Sequence, residues 1–156
     1  MRKLTCIGIC LLCAMRLCAS LPFVELNDVD GKNVKVNELT NQGKPVIIAF
    51  FATWCKPCIR ELNAINDLYD DWQEETGVEM YIVSIDQGQD IKKVRPLANG
   101  NDWEYHVLLD PNGELKRAMN VQNVPHMFVL DSNGQIVYNH SGYTDGSEKE
   151  IRKYLK

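Results

Sequence analysis

Two cysteines, Cys55 and Cys58, stand where a strand pattern gives way to a helix pattern, and this junction limits the folds open to the chain. The run 46–51 is apolar and β-prone, and apolar residues recur after Cys58 at three- and four-residue steps. The spacing predicts a strand, a tight turn and a helix that begins at Cys55. Free N–H groups and the positive end of a helix dipole favour a thiolate there, and the thiolate is the form that attacks disulfides.

The residues between the cysteines agree with this interpretation. Lys56 adds a positive charge beside the first cysteine, and Pro57 suits the first helical turn, where a missing N–H costs nothing. Half of a zinc site is an alternative, but a closed zinc site takes four ligands and no second cysteine pair follows. A purely structural bridge over so short a loop would restrict the unfolded chain little. The pattern therefore favours a redox-active dithiol.

The first 20 residues have the pattern of an export signal. Two basic residues precede an apolar run at 4–15, and small residues suitable for cleavage follow near Ala19. The run is shorter than the roughly 20 residues that span a bilayer. We predict a signal peptide or membrane-targeting segment at 1–20 and one domain at 21–156. An uncleaved anchor, a buried first helix and lipidation at Cys18 are the alternatives, the last with a poor match to its pattern.

Removing that segment changes the cysteine count and the charge of the chain. Four of the six cysteines lie in it, so the exported domain would keep Cys55 and Cys58 as its single dithiol. The segment also holds three of the 17 basic residues and none of the 21 acidic ones, which leaves 14 basic against 21 acidic residues. Such an acidic domain is a poor ligand for polyanions, so we expect no binding of nucleic acid.

Strand and helix patterns alternate along the rest of the chain. A hairpin is expected before the cysteine pair, and the helix after Cys58 should end near Gly77, a plausible C-cap. Strand, helix and strand in this order form a right-handed βαβ unit. We therefore predict an α/β fold with a central mixed sheet and helices on both faces. The later elements expected are strands at 78–85, 103–109, 126–130 and 135–139, a weak helical pattern at 86–100, and helices at 114–121 and 147–155.

The motifs resemble thioredoxin-fold proteins and, within that fold, exported thiol–disulfide reductases of the TlpA/ResA type. The resemblance rests on the Trp-Cys-x-Pro-Cys-x-x-Glu pattern ending at Glu61, on Val124-Pro125 before a strand, and on the leading hairpin, an N-terminal extension of the fold. It covers roughly 23–155. It implies an exposed nucleophile at Cys55, a buried resolving cysteine, and a cis-proline at Pro125 that faces both.

The resemblance also implies a mechanism and a substrate groove. Cys55 would attack a substrate disulfide, and Cys58 would displace the product from the mixed disulfide. The backbone at Val124 would pair with an extended substrate segment. No cofactor or metal is expected beyond the redox-active Cys55–Cys58 disulfide. The residues expected to contact substrate are Trp54, Lys56, Pro57, Val124 and His126.

Glu61 and His126 each have two interpretations. Glu61 lies one helical turn after Cys58, so it is either a proton acceptor for that thiol or a solvated residue paired with a nearby Lys or Arg. His126 follows the predicted cis-proline, where thioredoxins often have Thr, and would place an imidazole beside the dithiol. It would then tune the thiolate, or complete a copper site with the two cysteines in a metal carrier. Thioredoxins also carry a buried Asp where this chain has Ala49.

The function expected from the resemblance is a reductase of protein disulfides outside the cytoplasm. A copper carrier and a disulfide oxidase or isomerase on the same fold stay open as alternatives. The expected partners are disulfide-containing exported proteins and a membrane-embedded thiol electron donor, with the chain acting as a monomer. Location in the periplasm or outside the membrane, with or without an N-terminal anchor, suits roles in cell redox homeostasis and cytochrome c maturation.

Overall fold

A computed structural model describes residues 21–40 and 43–156, so the predicted export segment at 1–20 lies outside the described residues. The strands are β1 (Glu25–Asp28), β2 (Asn33–Lys35), β3 (Val46–Phe51), β4 (Glu79–Ser84), β5 (His106–Leu109), β6 (His126–Leu130) and β7 (Ile136–Ser141). The α-helices are α1 (Lys56–Thr76), α2 (Val94–Gly100) and α3 (Glu114–Ala118), and 3₁₀ helices span Val36–Glu38, Gly88–Lys93 and Ser147–Tyr154.

The strands form one mixed sheet in the order β2-β1-β5-β4-β3-β6-β7. β3, β4 and β5 are parallel neighbours, whereas the hairpin of β1 and β2 joins the free side of β5 in the antiparallel sense. β6 and β7 form an antiparallel hairpin on the other side of β3. The predicted mixed sheet and its N-terminal hairpin extension are confirmed.

The strand that leads into the cysteines is buried on both faces. All six residues of β3 are buried. Because side chains alternate along a strand, Ile47, Ala49 and Phe51 pack in the cluster that contains α1, and the other three pack in the cluster on the opposite face, with α3. Full burial of an Ile or Phe side chain contributes about 1.5–3 kcal/mol. The burial of β3 therefore fixes the position of the turn that follows it.

Helix α1 begins and ends where its sequence indicates. Cys55 is the N-cap residue, and its sulfur accepts a hydrogen bond from the backbone N–H of Cys58. Gly77 ends the helix with a φ of 69°, the left-handed conformation that glycine adopts without steric cost. The buried face of the helix comprises Cys58, Glu61, Leu62, Ile65, Tyr69 and Trp72.

The closing helix forms, but as a 3₁₀ helix at Ser147–Tyr154. Glu148 and Ile151 are buried and Tyr154 stacks on Tyr138, so the inward residues repeat every third position. A period of three matches the three residues per turn of a 3₁₀ helix. Within residues 21–40 and 43–156, no helix combines the length and apolar character needed to cross a bilayer.

Candidate active site

A disulfide joins Cys55 and Cys58 at the N-terminal end of α1. Their Cα atoms are 5.3 Å apart, and the N–H of Cys58 lies 3.3 Å from the sulfur of Cys55. Cys58 is 1% exposed, as the resemblance implies, but Cys55 is only 4% exposed. The expectation of an exposed Cys55 is thus wrong for the oxidised protein, because the bridge and the helix cap turn its sulfur toward the first turn of α1.

Asp86 fixes the turn that precedes the cysteines. Its carboxylate accepts hydrogen bonds from the backbone N–H of Thr53 at 2.9 Å, from the Thr53 hydroxyl at 2.7 Å and from the Ser84 hydroxyl at 2.8 Å. Asp86 is 2% exposed, so these bonds offset the cost of burying its charge. Asp86 is not among the site residues predicted from the sequence. β3 and β4 are parallel neighbours, so the residues that follow the two strands meet at one edge of the sheet. This geometric rule could have predicted that Asp86, after β4, lies near Thr53, after β3.

The Val124-Pro125 peptide bond is cis, as expected. In the pairing of β6 with β3, His126 lies opposite Phe50, which places Pro125 at the end of β3 where the chain turns toward the cysteines. The carbonyl of Pro125 accepts a hydrogen bond from the N–H of Gly142 at 2.9 Å. The substrate contact expected at Val124 and the catalytic role expected of Pro125 beside the cysteines stay predictions.

The rim of the site is open on the side of Trp54. This side chain is 64% exposed although it adjoins a buried cysteine, and Lys56 beside it is exposed. Pro57 is half-buried in the first turn of α1. A cleft of about 440 Å³ separates Trp54 from α2, and its other walls are Thr53, Asp90, Lys93, Pro96 and Leu97.

Glu61 is neither solvated nor paired with a Lys or Arg. Its side chain is 2% exposed, and its Oε1 lies 2.6 Å from Nε2 of His140 on β7. The interpretation of Glu61 as an ordinary solvated residue is therefore wrong. Nothing local in the sequence predicts this contact of His140, since 79 residues separate the two side chains.

The structure does not bring His126 together with the cysteines. Its ring stacks on Phe128 at 4.7 Å, and Phe128 packs in the cluster on the sheet face opposite α1. Burial, and secondly the nearby His140, lower the pKa of His126. Within the described part of the chain, no three His, Cys, Asp or Glu side chains are placed to hold a metal ion. The copper-carrier interpretation thus has no third ligand at His126.

Similarity to known proteins agrees with the geometry. Residues 19–139 match the AhpC/TSA family. The chain is 28% identical over 142 residues to the thiol-disulfide oxidoreductase ResA of Bacillus thuringiensis subsp. konkukian, covering 91% of this chain and 78% of that protein. It is 61% identical to a thioredoxin-like protein from Porphyromonas gingivalis solved in solution, with a TM-score of 0.75 and coverage of 85% and 87%. StoA from Bacillus subtilis, 22% identical, shares the fold with a TM-score of 0.66 and coverage of 85% and 98%. The predicted ResA-like thioredoxin fold is confirmed.

Proposed function

The chain belongs to the AhpC/TSA family of thioredoxin-like proteins, and on that basis we propose that it is a thiol–disulfide oxidoreductase that reduces protein disulfides outside the cytoplasm. The observation that carries the proposal is the Cys55–Cys58 bridge at the start of α1. A bridge that closes so short a loop stabilises the fold little and suits exchange with another thiol or disulfide.

The reaction consists of two exchange steps. In the reduced protein the thiolate of Cys55 attacks one sulfur of a substrate disulfide, forms a mixed disulfide and expels the first substrate thiolate. The thiolate of Cys58 then attacks the sulfur of Cys55, breaks the mixed disulfide and expels the second substrate thiolate. Two electrons pass to the substrate, and the protein is left with the Cys55–Cys58 bridge that the structure contains.

The surroundings of the bridge supply what these steps need. The N-terminus of α1 and the adjacent Lys56 favour the thiolate of Cys55. Glu61, on the same helix face as Cys58, accepts the proton that Cys58 must lose before it attacks. The open rim at Trp54 and the segment at Val124, just before β6, form the groove for an extended substrate segment.

Trapping tests the first step. A Cys58→Ser variant should retain substrates as mixed disulfides on Cys55, because nothing resolves them. Cys55→Ser is the matched control and should retain none. A Cys58→Ser variant that captures no exported protein, and a wild-type protein that does not reduce insulin with a thiol donor, would refute the proposal.

The reduction potential of the dithiol tests the direction of transfer. A potential near about −270 mV supports a reductase, and one near about −120 mV supports an oxidant. The measurement requires equilibration in redox buffers of known potential and quantification of the bridge.

Export and partners extend the same proposal. The basic and apolar pattern at 1–20 supports cleavage near Ala19, and mass spectrometry of the protein from a bacterial host would test it. A reductase outside the cytoplasm needs a membrane-embedded thiol donor to restore its dithiol. Disulfide-containing exported proteins are its substrates, and gel filtration would test the proposed monomer.

A further inference from the structure

Glu61 shares a helix face with the resolving cysteine. Residues three apart on a helix are neighbours, about 5–6 Å between Cβ atoms, and both Cys58 and Glu61 are 1% exposed. A charged carboxylate buried to this degree is costly unless a partner offsets the lost hydration. The partner of Glu61 therefore determines how the buried carboxylate is stabilised.

That partner is a histidine that comes from the sheet. His140 on β7 lies opposite Met127 of β6, and Met127 packs in the same cluster as the buried face of α1. The distance from Nε2 of His140 to Oε1 of Glu61 is 2.6 Å. A Lys or Arg here could only donate hydrogen bonds to the carboxylate, whereas a ring nitrogen of an imidazole can donate or accept a proton.

The second ring nitrogen of His140, Nδ1, is buried. Among the described residues, Nδ1 of His140 is the buried side-chain nitrogen or oxygen without a hydrogen-bond partner. A partner at Nδ1 would fix the tautomer of a neutral imidazole. Because none is present, Nε2 can either donate a proton to Glu61 or accept one from it.

We infer that His140 is a positioning residue that shares one proton with Glu61, and that this pair, rather than Glu61 alone, receives the proton of Cys58 during resolution of the mixed disulfide. The inference rests on the proposed function and deepens it. The proton leaves the Cys58 thiol and is held between Glu61 and His140. The Cys58 thiolate then attacks the sulfur of Cys55, the mixed disulfide breaks, and the substrate leaves as a thiolate. The pair releases the proton of Cys58 to solvent, and the substrate thiolate takes up a proton from solvent, so the pair returns to its starting state.

Other titratable groups near the pair are neutral at working pH or solvated. The phenol of Tyr138 has a pKa raised by its own burial first, and by the charge of Glu61 among smaller causes. Arg60 is 62% exposed and lies 3.9 Å from Asp145. On β7 the ring of Tyr138 lies 5.5 Å from that of His140, and Tyr154 of the closing 3₁₀ helix stacks on Tyr138, whose phenol is also influenced by the charge of Glu150. The charge of His140 influences His126 of β6, although the ring of His126 packs on the other face of the sheet.

Stopped-flow kinetics separates the two exchange steps. The first depends on substrate concentration and the second does not, and the fluorescence of Trp54 beside the bridge reports both. His140→Gln keeps a hydrogen-bond donor but cannot take up a proton, so we expect the second step to slow by about tenfold or more and to lose its pH dependence. The first step should be unchanged. His106→Gln is the matched control, because His106 is exposed and stacks on Tyr81 on another part of the sheet.

A double variant distinguishes a shared proton from a purely structural hydrogen bond between α1 and the sheet. If Glu61 and His140 act as one unit, Glu61→Gln with His140→Gln should slow the second step no more than Glu61→Gln alone. Additive losses, or a His140→Gln variant with the wild-type second step and pH profile, would overturn the inference.

Nitrogen NMR of the wild-type protein tests the inference without any variant or substrate. The ring nitrogens of His140 should change chemical shift when the Cys55–Cys58 bridge is reduced at constant pH, because a new thiol then faces the pair. Identical shifts in the oxidised and reduced protein would overturn the inference even if disulfide reduction is observed. Conversely, a shift change in a protein that reduces no disulfide would leave the pair intact and refute only the proposed function.

Discussion

Replacing Asp86 should loosen the turn before the cysteines in graded steps. The carboxylate of Asp86 accepts three hydrogen bonds, two from Thr53 and one from Ser84, in a site where it is 2% exposed. Asp86→Ala removes both acceptor oxygens, and with them all three hydrogen bonds, and leaves the three donors without their partner. Asp86→Asn keeps the shape, and its amide can still serve two of the three donors.

The expected losses follow from the number of bonds removed. A hydrogen bond to a charged group contributes about 1.5–3 kcal/mol net. Thr53→Val removes one such bond and should cost about 1.5 kcal/mol. Asp86→Asn loses charge assistance and should cost about 1–2 kcal/mol, whereas Asp86→Ala should cost about 3–5 kcal/mol, since water reaches the half-exposed Thr53 and limits the loss. The free energy of unfolding of a domain of this size is about 5–15 kcal/mol in total, so the Asp86→Ala variant approaches the limit at which the domain still folds.

Urea titration of the oxidised protein measures the series. The midpoint and slope of unfolding give the free energy of each variant, and an unchanged slope shows that the unfolded state is comparable. The double variant of Thr53→Val with Asp86→Asn should lose less than the sum of the single losses, because both changes remove the same bond. The rate at which reduced Cys55 reacts with an alkylating reagent should rank the variants in the same order as their losses of unfolding free energy.

The ranking of the variants can refute the reasoning. An Asp86→Ala variant that loses no more free energy than Thr53→Val would show that the carboxylate does not hold this turn. Strict additivity of the Thr53 and Asp86 changes would show that the two side chains do not interact.

Three further changes have defined outcomes. Glu61→Gln should slow resolution of the mixed disulfide by about tenfold to a hundredfold and alter its pH–rate profile; a wild-type profile would exclude Glu61 as the proton acceptor. Burial and the nearby His140 lower the pKa of His126, so the folded protein binds this proton less readily than the unfolded chain. The contribution of His126 to the free energy of unfolding is complete above about pH 6.5 and is lost as the pH falls toward the folded-state pKa. His126→Gln should therefore reduce the pH dependence of urea unfolding below about pH 6.5. A pH dependence equal to that of the wild-type protein would contradict this. Trp54→Ala should leave the free energy of unfolding within about 0.5 kcal/mol but raise the KM for a protein disulfide, with Phe23→Ala, at an even more exposed aromatic residue, as control; an unchanged KM would remove Trp54 from the substrate groove.

Local sequence patterns were sufficient to predict the elements at the centre of the site. An uninterrupted apolar run, two cysteines and an amphipathic pattern follow one another within 46–72, so strand, turn and helix could be placed by periodicity. Gly77 could be predicted as the end of α1 because a left-handed residue favours glycine. These elements depend on neighbours along the chain, and the structure agrees with them.

Most contacts between distant parts of the chain could not be predicted from such local patterns. The bond between Glu61 and His140 spans 79 residues and depends on how β7 pairs with β6. The position of His126 depends on which sheet face its strand turns toward α1. β6 is apolar on both faces, so its sequence does not say which residues point to the helix. In contrast, the contact of Asp86 with Thr53 could have been predicted, because the residues that follow two parallel neighbouring strands meet at one edge of the sheet.

The hairpin of β1 and β2 bears on self-association. It covers the side of β5 that β4 leaves open, through the register of Asn27 with Leu109 and Asp28 with Leu108. Without it, a four-residue strand with apolar side chains would present unpaired N–H and C=O groups to other molecules. The sheet ends instead at β2, three residues long with Lys35 at its end, and a short charged border of this kind is a poor template for the growth of fibrils.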